Sequence, residues 1–230
     1  DSFIISDHHK APFWELNGPK ILYRPIQKGD RASLWTYLDW MLSASSNAAA
    51  SMALKHLMLL VHFGTAYPVS ETEAQQFFKD TSKKELAALL ARALQDPVTR
   101  NGLDLEQLRQ GSFFTWKGKR LVPGTTSYAT PRELMRFLIK MEQGRLVDVF
   151  SSREIKRLIH MTQRRIRYAS SPALSPAAVY FKSGSLYKCK PEPDFKCRKY
   201  HGNVINMLNS VAIVEHPAGN RQLFYMVVVM

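Results

Sequence analysis

The C-terminal end of the chain limits the fold most, because three segments there are rich in β-branched and aromatic residues. These segments, residues 179–188, 204–215 and 222–230, are predicted to be β-strands. The tetrapeptide Pro217-Ala218-Gly219-Asn220 predicts a turn between the last two. Strands joined by turns pair antiparallel, so we expect an antiparallel meander at this end of the chain.

The residues before these strands have a mostly helical pattern. Apolar residues recur at helical spacing over residues 31–42 and 47–62, which predicts two helices. A short amphipathic helix is also predicted over residues 105–109. The first 28 residues are predicted to be irregular, because prolines and a glycine interrupt any periodicity there. These interruptions are Pro12, Gly18, Pro19 and Pro25.

Four further helices are predicted from capping boxes, in which a hydroxyl stands three residues before a glutamate and both side chains pair with free backbone N–H groups. The four pairs are Ser70/Glu73, Ser82/Glu85, Thr130/Glu133 and Ser151/Glu154. The last of these helices is predicted to begin near residue 152. The sequence therefore predicts a helical block followed by an antiparallel sheet.

The chain has 32 basic and 19 acidic residues among 230, a net charge of +13 at pH 7. Such a charge favours anionic surroundings: nucleic acid, anionic lipid or an acidic cell wall. No nucleic-acid-binding motif accompanies the charge, so we expect no nucleic-acid partner. No apolar run reaches the roughly 18 residues of a membrane span. The length fits one large domain or two small ones.

Two cysteines, Cys189 and Cys197, stand close together in the chain. In an exported protein they would close a small disulfide loop, which is the interpretation we favour. A metal site would add His201, but three ligands at this spacing match no common zinc motif. Two unpaired thiols in a cytosolic protein are the remaining alternative. His8 and His9 are interpreted as exposed loop histidines rather than metal ligands.

Two short motifs carry most of the functional information. Ser45-Ser46-Asn47 leads directly into the second predicted helix, and Lys182-Ser183-Gly184-Ser185 lies inside the first predicted strand. Taken singly, each has a structural explanation, because Ser and Asn are common helix caps and a strand glycine often marks a bulge. Their order, and their placement on a helix start and a strand, favour a functional interpretation.

S-x-N followed by K-[ST]-G resembles the signature of the penicillin-recognising serine hydrolases. Residues 45–50 are similar to the S-D-N-T-A-A stretch of class A β-lactamases and related D,D-peptidases. Residues 125–134 resemble their T-T-x-x-x-T-P-x-x-L turn and helix, and residues 144–148 resemble the loop before the next helix. The resemblance extends over roughly residues 28–230.

This resemblance implies an α/β fold of the α+β type, β-lactamase/transpeptidase-like, in which an antiparallel sheet is flanked by helices and joined to a helical subdomain. We therefore expect a single domain over residues 1–230, mainly helical over 28–178 and stranded over 179–230.

The resemblance also implies roles in acyl transfer, which needs a nucleophile, a base, a proton route to the leaving nitrogen and donors for the oxyanion. Ser45 would relay a proton to the leaving group. Asn47 would hydrogen-bond the substrate amide or hold the base lysine in place. Lys182 would supply a positive field that attracts a substrate carboxylate and eases deprotonation of neighbouring hydroxyls. The resemblance therefore assigns three residues to the catalytic step.

The residues after Lys182 would bind the substrate. Ser183 would hydrogen-bond the substrate carboxylate, and Gly184 would let the substrate approach the strand edge. The backbone N–H of Ser185 would supply half of the oxyanion hole, and the N–H of the nucleophile would supply the other half.

The nucleophile is expected in a helical S-x-x-K that precedes Ser45, and residues 1–44 contain none. The S-x-x-K string of this chain is Ser185-Leu186-Tyr187-Lys188, inside a predicted strand. On a strand, residues i and i+3 point to opposite faces, so this string is not interpreted as the nucleophile motif. We expect the domain to be truncated at both ends, with its nucleophile outside these residues.

Class A β-lactamases activate the deacylating water with a glutamate in an E-x-x-x-N loop. Glu106 is the candidate base here, but Gln110 stands where the asparagine is expected. Glu106 is explained more simply as part of the short helix predicted over residues 105–109. Without that base, an acyl-enzyme would turn over slowly, as in penicillin-binding proteins.

The resemblance therefore predicts an exported, periplasmic or secreted bacterial serine acyl hydrolase that acts on β-lactams or cell-wall D-alanyl peptides through an acyl-enzyme. It predicts no cofactor and no metal. The alternative is a catalytically inactive relative that binds cell-wall peptides or a protein partner. In both cases the positive charge suits association with an anionic cell wall or membrane surface.

Overall fold

The computed structural model describes residues 10–14, 21–27, 29–163, 165–198, 201–220 and 222–230. The chain forms two compact units, Asp1–Ala129 and Thr130–Met230. His8 and His9 lie outside the described residues. Within the described residues, every helix is too short or too polar to cross a membrane.

The described part of the first unit consists of helices and two small antiparallel sheets. In chain order its elements are β1 (Lys10–Trp14), β2 (Ile21–Pro25), α1 (Leu34–Leu42), α2 (Asn47–Phe63), α3 (Glu71–Asp80), α4 (Lys83–Arg100), β3 (Leu108–Arg109), α5 (Trp116–Leu121) and β4 (Tyr128–Ala129). Strand β1 pairs with β2, and β3 pairs with β4.

Hydroxyl side chains begin the helices of the first unit. In each case a backbone N–H inside the first turn donates to the side-chain oxygen of Ser33, Ser46, Ser70, Ser82 or Thr115. These bonds satisfy donors that the first turn of a helix leaves unpaired. The capping box predicted at Ser82 is complete, because the Glu85 carboxylate also accepts from the Ser82 N–H.

Helix α2 lies at the centre of the first unit's core. It is apolar on nearly every side, so most of its length is buried, including Ala48, Ala49 and Met58. Burial of large apolar side chains around it contributes roughly 1.5–3 kcal/mol each. The side chains that surround α2 in this core include Trp40, Phe78, Leu86, Leu90 and Phe113. This packing fixes the N-terminal end of α2, where the first motif lies.

The second unit packs two helices against a three-stranded sheet. Its elements are α6 (Pro131–Glu142), α7 (Val149–His160), β5 (Ala178–Lys188), β6 (Ile205–His216) and β7 (Leu223–Val229). The strands are antiparallel in the order β5-β6-β7, which confirms the predicted meander. Helix α7 packs against β5, and α6 packs against α7 and β7. One sheet face is buried through Val179, Phe181, Ala212 and Val214.

Strands β5 and β6 extend beyond β7. They pair along their whole length, from Ala178 opposite Glu215 to Lys188 opposite Ile205, whereas β7 pairs with β6 only between Ser210 and His216. The outer parts of β5 and β6, residues 184–188 and 205–209, therefore form a two-stranded arm.

A buried group of charged side chains joins three elements of the second unit. Lys156 Nζ of α7 lies 2.7 Å from Glu142 Oε1 of α6 and 2.5 Å from Glu215 Oε1 of β6. The Tyr180 hydroxyl donates to Glu215 Oε2 at 3.2 Å, and the Tyr180 ring lies 4.3 Å from the ammonium. We call these four residues the Lys156 cluster. One cation here holds two carboxylates that would otherwise be buried without a counter-charge.

Two parts of the prediction for the first unit are wrong. The first 28 residues are not uniformly irregular, because β1 and β2 pair from Lys10 opposite Pro25 to Trp14 opposite Ile21. A two-stranded sheet has two open edges, and proline is tolerated at an edge because its missing N–H costs no ladder bond. Residues 105–109 are a turn leading into β3, since the Asp104 carboxylate accepts from the Glu106 N–H at 2.8 Å.

The predicted start of α7 is also wrong. The helix begins at Val149, and its cap is Asp148, whose carboxylate accepts from the Ser151 N–H. Ser151 lies within the first turn rather than at the cap. Aspartate is as good a cap as serine, which explains how Asp148 starts the helix three residues before the predicted cap. Helix α5 was not predicted, whereas the remaining helices and the mixed fold of helices and antiparallel sheet agree with the prediction.

Candidate active site

The first motif forms the turn between α1 and α2. Ser46 Oγ accepts from the Ala49 N–H at 3.1 Å, and the Ser46 N–H donates to the Trp40 carbonyl at 3.0 Å. Ser46 is therefore the cap of α2, whereas Asn47 is the first helical residue. Ser45 has a φ of 56°, in the left-handed region that costs an L-residue roughly 1–2 kcal/mol. The turn thus holds Ser45 in a strained backbone conformation, and Ser46 rather than Ser45 caps α2.

One turn further along α2, a buried hydroxyl fixes a distant segment. Ser51 is fully buried, and its Oγ accepts from the N–H groups of Phe114 at 3.2 Å and Thr115 at 3.0 Å. Both donors lie just before α5. Two bonds to one buried acceptor hold this segment against α2 on the turn that follows Asn47. The residues placed there are an aromatic and a hydroxyl residue, not a carboxylate.

Glu106 lies in the exposed turn before β3. Its backbone N–H is bound by Asp104, and the next strand, β3, pairs with β4 through Leu108 and Ala129. The structure thus assigns its backbone to a turn and leaves its side chain exposed, and the role of Glu106 as a base stays a prediction.

The second motif lies on β5, in the second unit. Lys182 is partly buried, and burial lowers the pKa of its ammonium from the usual 10.5 to about 8. The Nζ donates to the Ser183 carbonyl at 2.7 Å. At pH 7 the side chain is still mostly charged, and a charge that is poorly hydrated exerts a stronger field on a nearby anion than a charge in water.

The side chains of the motif alternate across the sheet. Ser183 and Ser185 share one face of β5, and Lys182 and Gly184 share the other. Ser183 stands opposite Ser210, whose hydroxyl is buried and makes no hydrogen bond to any described residue. This alternation also separates Ser185 from Lys188, which agrees with excluding that pair as an S-x-x-K nucleophile motif.

The position of Asn209 on β6 requires a glycine at residue 184. A β-carbon at residue 184 would stand 2.5 Å from Asn209 Oδ1, so the Asn209 side chain occupies the space beside Gly184. Asn209 is directly opposite in the register. The glycine therefore leaves room for an amide at this point of the strand pair.

A second cation reaches β5 from the face opposite Lys182. Arg167, which begins a short 3₁₀ helix (Arg167–Ser170) with a φ of 57°, donates to Ser185 Oγ and to the Asn209 carbonyl, each at 3.2 Å. The guanidinium thus bridges β5 and β6 beside Ser185. Together, Lys182 and Arg167 surround this part of β5 with positive charge on both faces.

The arm beyond the motif ends in a covalently closed loop. Cys189 and Cys197 form a disulfide with a Cα–Cα distance of 5.8 Å. Asn203 reinforces the loop, because its side chain accepts from the Lys190 N–H and donates to the Lys190 carbonyl, each at 2.9 Å. His201 stacks on Phe195. Among the described residues, no group of three or more His, Cys, Asp or Glu side chains is placed to hold a metal ion.

Comparison of the sequence with models of protein families shows to which family the chain belongs. The model of the Beta-lactamase enzyme family matches residues 16–230. The chain belongs to this family. This confirms the family predicted from the two motifs, and a beta-lactamase family domain has a serine hydrolase-like function in general. No curated protein and no solved structure shows significant similarity to the chain.

The sequence did not predict a role in the candidate site for three residues of this beta-lactamase family chain. Asn209 and Arg167 contact the motif on β5 from positions 25 and 18 residues away from Gly184 and Ser185, so their contacts depend on the strand register. Ser51 looks like an ordinary small residue in an alanine-rich helix. A signal for Asn209 existed, because pairing the two predicted strands symmetrically about their connection places it near Gly184.

Proposed function

We propose that this chain acts as an exported bacterial serine acyl hydrolase on β-lactams or on D-alanyl peptides of the cell wall. The observation that carries the proposal is Lys182, a partly buried cation on β5 next to the Ser183 carbonyl, in a member of the beta-lactamase family. Both substrate classes carry a carboxylate near the amide that reacts, and a desolvated cation is the group that recognises a carboxylate most strongly.

The proposed reaction forms and breaks one acyl bond at each step. A serine oxygen loses its proton and bonds to the substrate carbonyl carbon, the amide C–N bond breaks, and the leaving nitrogen takes a proton through Ser45. Water then attacks the acyl carbon, the serine O–C bond breaks, a proton of the water returns to the serine oxygen, and the acid is released. Asn47 would hold the substrate amide, and the Ser185 N–H would stabilise the oxyanion.

The cations on β5 would orient the substrate for these steps. Lys182 approaches the strand from one face and Arg167 from the other, so an anion at this strand experiences two positive charges. The Ser183 hydroxyl adds a hydrogen-bond donor, and the Asn209 amide occupies the space beside Gly184. This arrangement supports recognition of a carboxylate rather than of a neutral ester.

Export is supported by the disulfide between Cys189 and Cys197, because disulfides persist mainly in oxidising compartments such as the periplasm or the exterior of the cell. The net charge of +13 suits an anionic wall or membrane surface.

Slow turnover is the second part of the proposal. Ser51 holds Phe114 and Thr115 against α2, and Glu106 lies in an exposed turn. The segment held against α2 therefore carries no carboxylate that could activate the deacylating water. We therefore expect a long-lived acyl-enzyme, as in penicillin-binding proteins, and a catalytically inactive binding protein is the alternative.

The test is intact-mass spectrometry of the full-length protein after exposure to a penicillin, with peptide mapping of any adduct. Lys182→Ala should slow acylation by at least about tenfold, since it removes a charge-assisted contact. The matched control is Lys188→Ala, because Lys188 lies on the same strand and the same face but outside the motif. No adduct on the wild-type protein at high penicillin concentration would favour the inactive binding protein. Equal labelling of Lys182→Ala would remove Lys182 from the site.

A further inference from the structure

The first unit contains a cavity that the acyl-hydrolase proposal does not use. It has a volume of about 340 Å³ and is lined by Lys83, Trp116, Lys117, Arg120 and Leu121. Lys83 begins α4, and the other four residues belong to α5. The volume is within the range of small-molecule sites.

The wall formed by α5 is rigid although the helix is short. Gly118 faces the core, where a β-carbon would stand 2.9 Å from the side chain of buried Phe113. Thr115 caps the helix, and its own N–H is held by Ser51. Because the inner face of α5 is fixed in this way, Trp116 and Lys117 are directed outward from a well-anchored element.

Trp116 is unusually exposed for a tryptophan, at 66%. Leaving so large an apolar ring in water forgoes roughly 2–3 kcal/mol of burial. The Arg120 guanidinium lies 5.4 Å from the ring centroid, a cation–π contact that orients the indole at the cavity. An exposed but oriented indole is a suitable surface for stacking a ring of a ligand.

The polar side chains that line the cavity are donors only. The lysine ammonium groups, the guanidinium and the indole N–H offer hydrogens, and none of the five lining side chains has an acceptor. Within the described part of the chain, Lys83, Lys117 and Arg120 have no carboxylate partner within ion-pair distance. A ligand must therefore bring oxygen acceptors, and preferably negative charge, to this cavity.

This donor-only lining discriminates between ligand classes. Nucleobase edges carry both donors and acceptors, so a site that reads them needs acceptors of its own. Neutral sugars also need acceptors for their hydroxyl groups. An anionic group needs donors only, and the ring that carries it can stack on Trp116 and contact Leu121.

We propose that this cavity binds a small organic anion in which a carboxylate or phosphate is attached to a ring, such as an acidic sugar or an aromatic acid. The ring stacks on Trp116, and the anionic oxygens accept from Lys117, Arg120 and Lys83. The proposal does not depend on the acyl-hydrolase activity, because none of the residues assigned to that activity lines the cavity.

The test is isothermal titration calorimetry on the full chain with two anionic probes, galacturonic acid trimer and 2-naphthoate, each compared with a neutral partner, maltotriose and 2-naphthalenemethanol. We expect at least one anionic probe to bind in 150 mM salt and its neutral partner to bind at least about tenfold more weakly. Binding of the trimer indicates an acidic sugar, and binding of naphthoate indicates an aromatic acid.

The variants separate a built site from general attraction by a basic surface. The double variant Lys117→Gln with Arg120→Gln should weaken binding at least about tenfold, and Trp116→Ala should abolish it. The matched control is Lys119→Gln, because Lys119 is an exposed cation of the same helix outside the cavity. Equal weakening by Lys119→Gln, equal affinity for the neutral partners, or no binding of either anion would overturn the proposal.

Discussion

The side chain of Asn209 lies directly beside Gly184, so that a β-carbon at residue 184 would stand 2.5 Å from Asn209 Oδ1. The two residues are opposite each other on antiparallel strands, next to Lys182 and Ser183. This relationship makes the second motif depend on a residue of the following strand. Because both Gly184 and Asn209 can be substituted, the coupling between them can be measured.

Gly184→Ala should force the Asn209 amide away from β5 and destabilise the folded state by about 1 kcal/mol. Asn209→Ala should remove the clash, so the double variant should recover most of that loss. Urea unfolding of the four proteins gives the coupling energy directly. If Gly184→Ala costs the same in both backgrounds, Asn209 is not the residue that requires the glycine.

Lys182→Met should change how stability depends on pH. Burial holds the pKa of Lys182 at about 8 in the folded state, whereas an unfolded lysine has a pKa of about 10.4. Between these values the unfolded chain binds more protons, so the wild-type protein gains stability as pH rises. The gain has an upper limit of about 3 kcal/mol, and Lys182→Met should lack it.

Urea unfolding of both proteins at pH 7 and pH 10 measures this difference. Other titrating groups cancel because they are common to both proteins. A stability difference that does not change between the two pH values would mean that the ammonium is not desolvated. In the same range, loss of the Lys182 charge above pH 8 should weaken acylation by penicillin.

Ser51→Ala should destabilise the first unit by about 1–3 kcal/mol, because it leaves the N–H groups of Phe114 and Thr115 without their buried acceptor. Hydrogen exchange at these two amides should become faster. The matched control is Ser127→Ala, since Ser127 Oγ accepts a single bond, from Gly111 N–H, at an exposed position. Equal effects of the two substitutions would contradict a special role for Ser51.

Lys156→Met should destabilise the second unit by about 3–5 kcal/mol, because two largely buried carboxylates would lose their shared counter-ion. Adding Glu142→Gln and Glu215→Gln should restore most of the stability, as measured by thermal unfolding. Arg157→Met is the control, since Arg157 lies on the same helix in a more exposed pair with Glu154 and should cost less than about 0.5 kcal/mol. A triple variant no more stable than Lys156→Met would disprove the electrostatic explanation.

The parts of the fold that were predictable are those with a strong local cause. Strand β5 was predicted to within one residue because β-branched and aromatic residues stand near both of its ends, and α4 was predicted because Ser82 and Glu85 form a complete cap. The family followed from two motifs whose residue types and order are specific.

The parts of the fold and of the candidate site that were not predictable depend on competing local conformations or on contacts between residues far apart in the chain. Residues 105–109 have helical spacing, but the Asp104 carboxylate binds the Glu106 N–H and favours a turn. Asp148 and Ser151 are equally good caps for one helix start, and the structure has the cap at Asp148. The contacts of Arg167 with Ser185 and of Ser51 with Phe114 join residues far apart in the chain, which local patterns do not encode.

The Lys156 cluster constrains the order in which its charged residues can be replaced. Replacing Glu142 or Glu215 first leaves the lysine with one carboxylate, a neutral pair that an interior tolerates. Replacing Lys156 first leaves two negative charges side by side. The order of substitutions therefore matters: a glutamate can be replaced before the lysine, whereas a chain that keeps both glutamates needs a cation at residue 156.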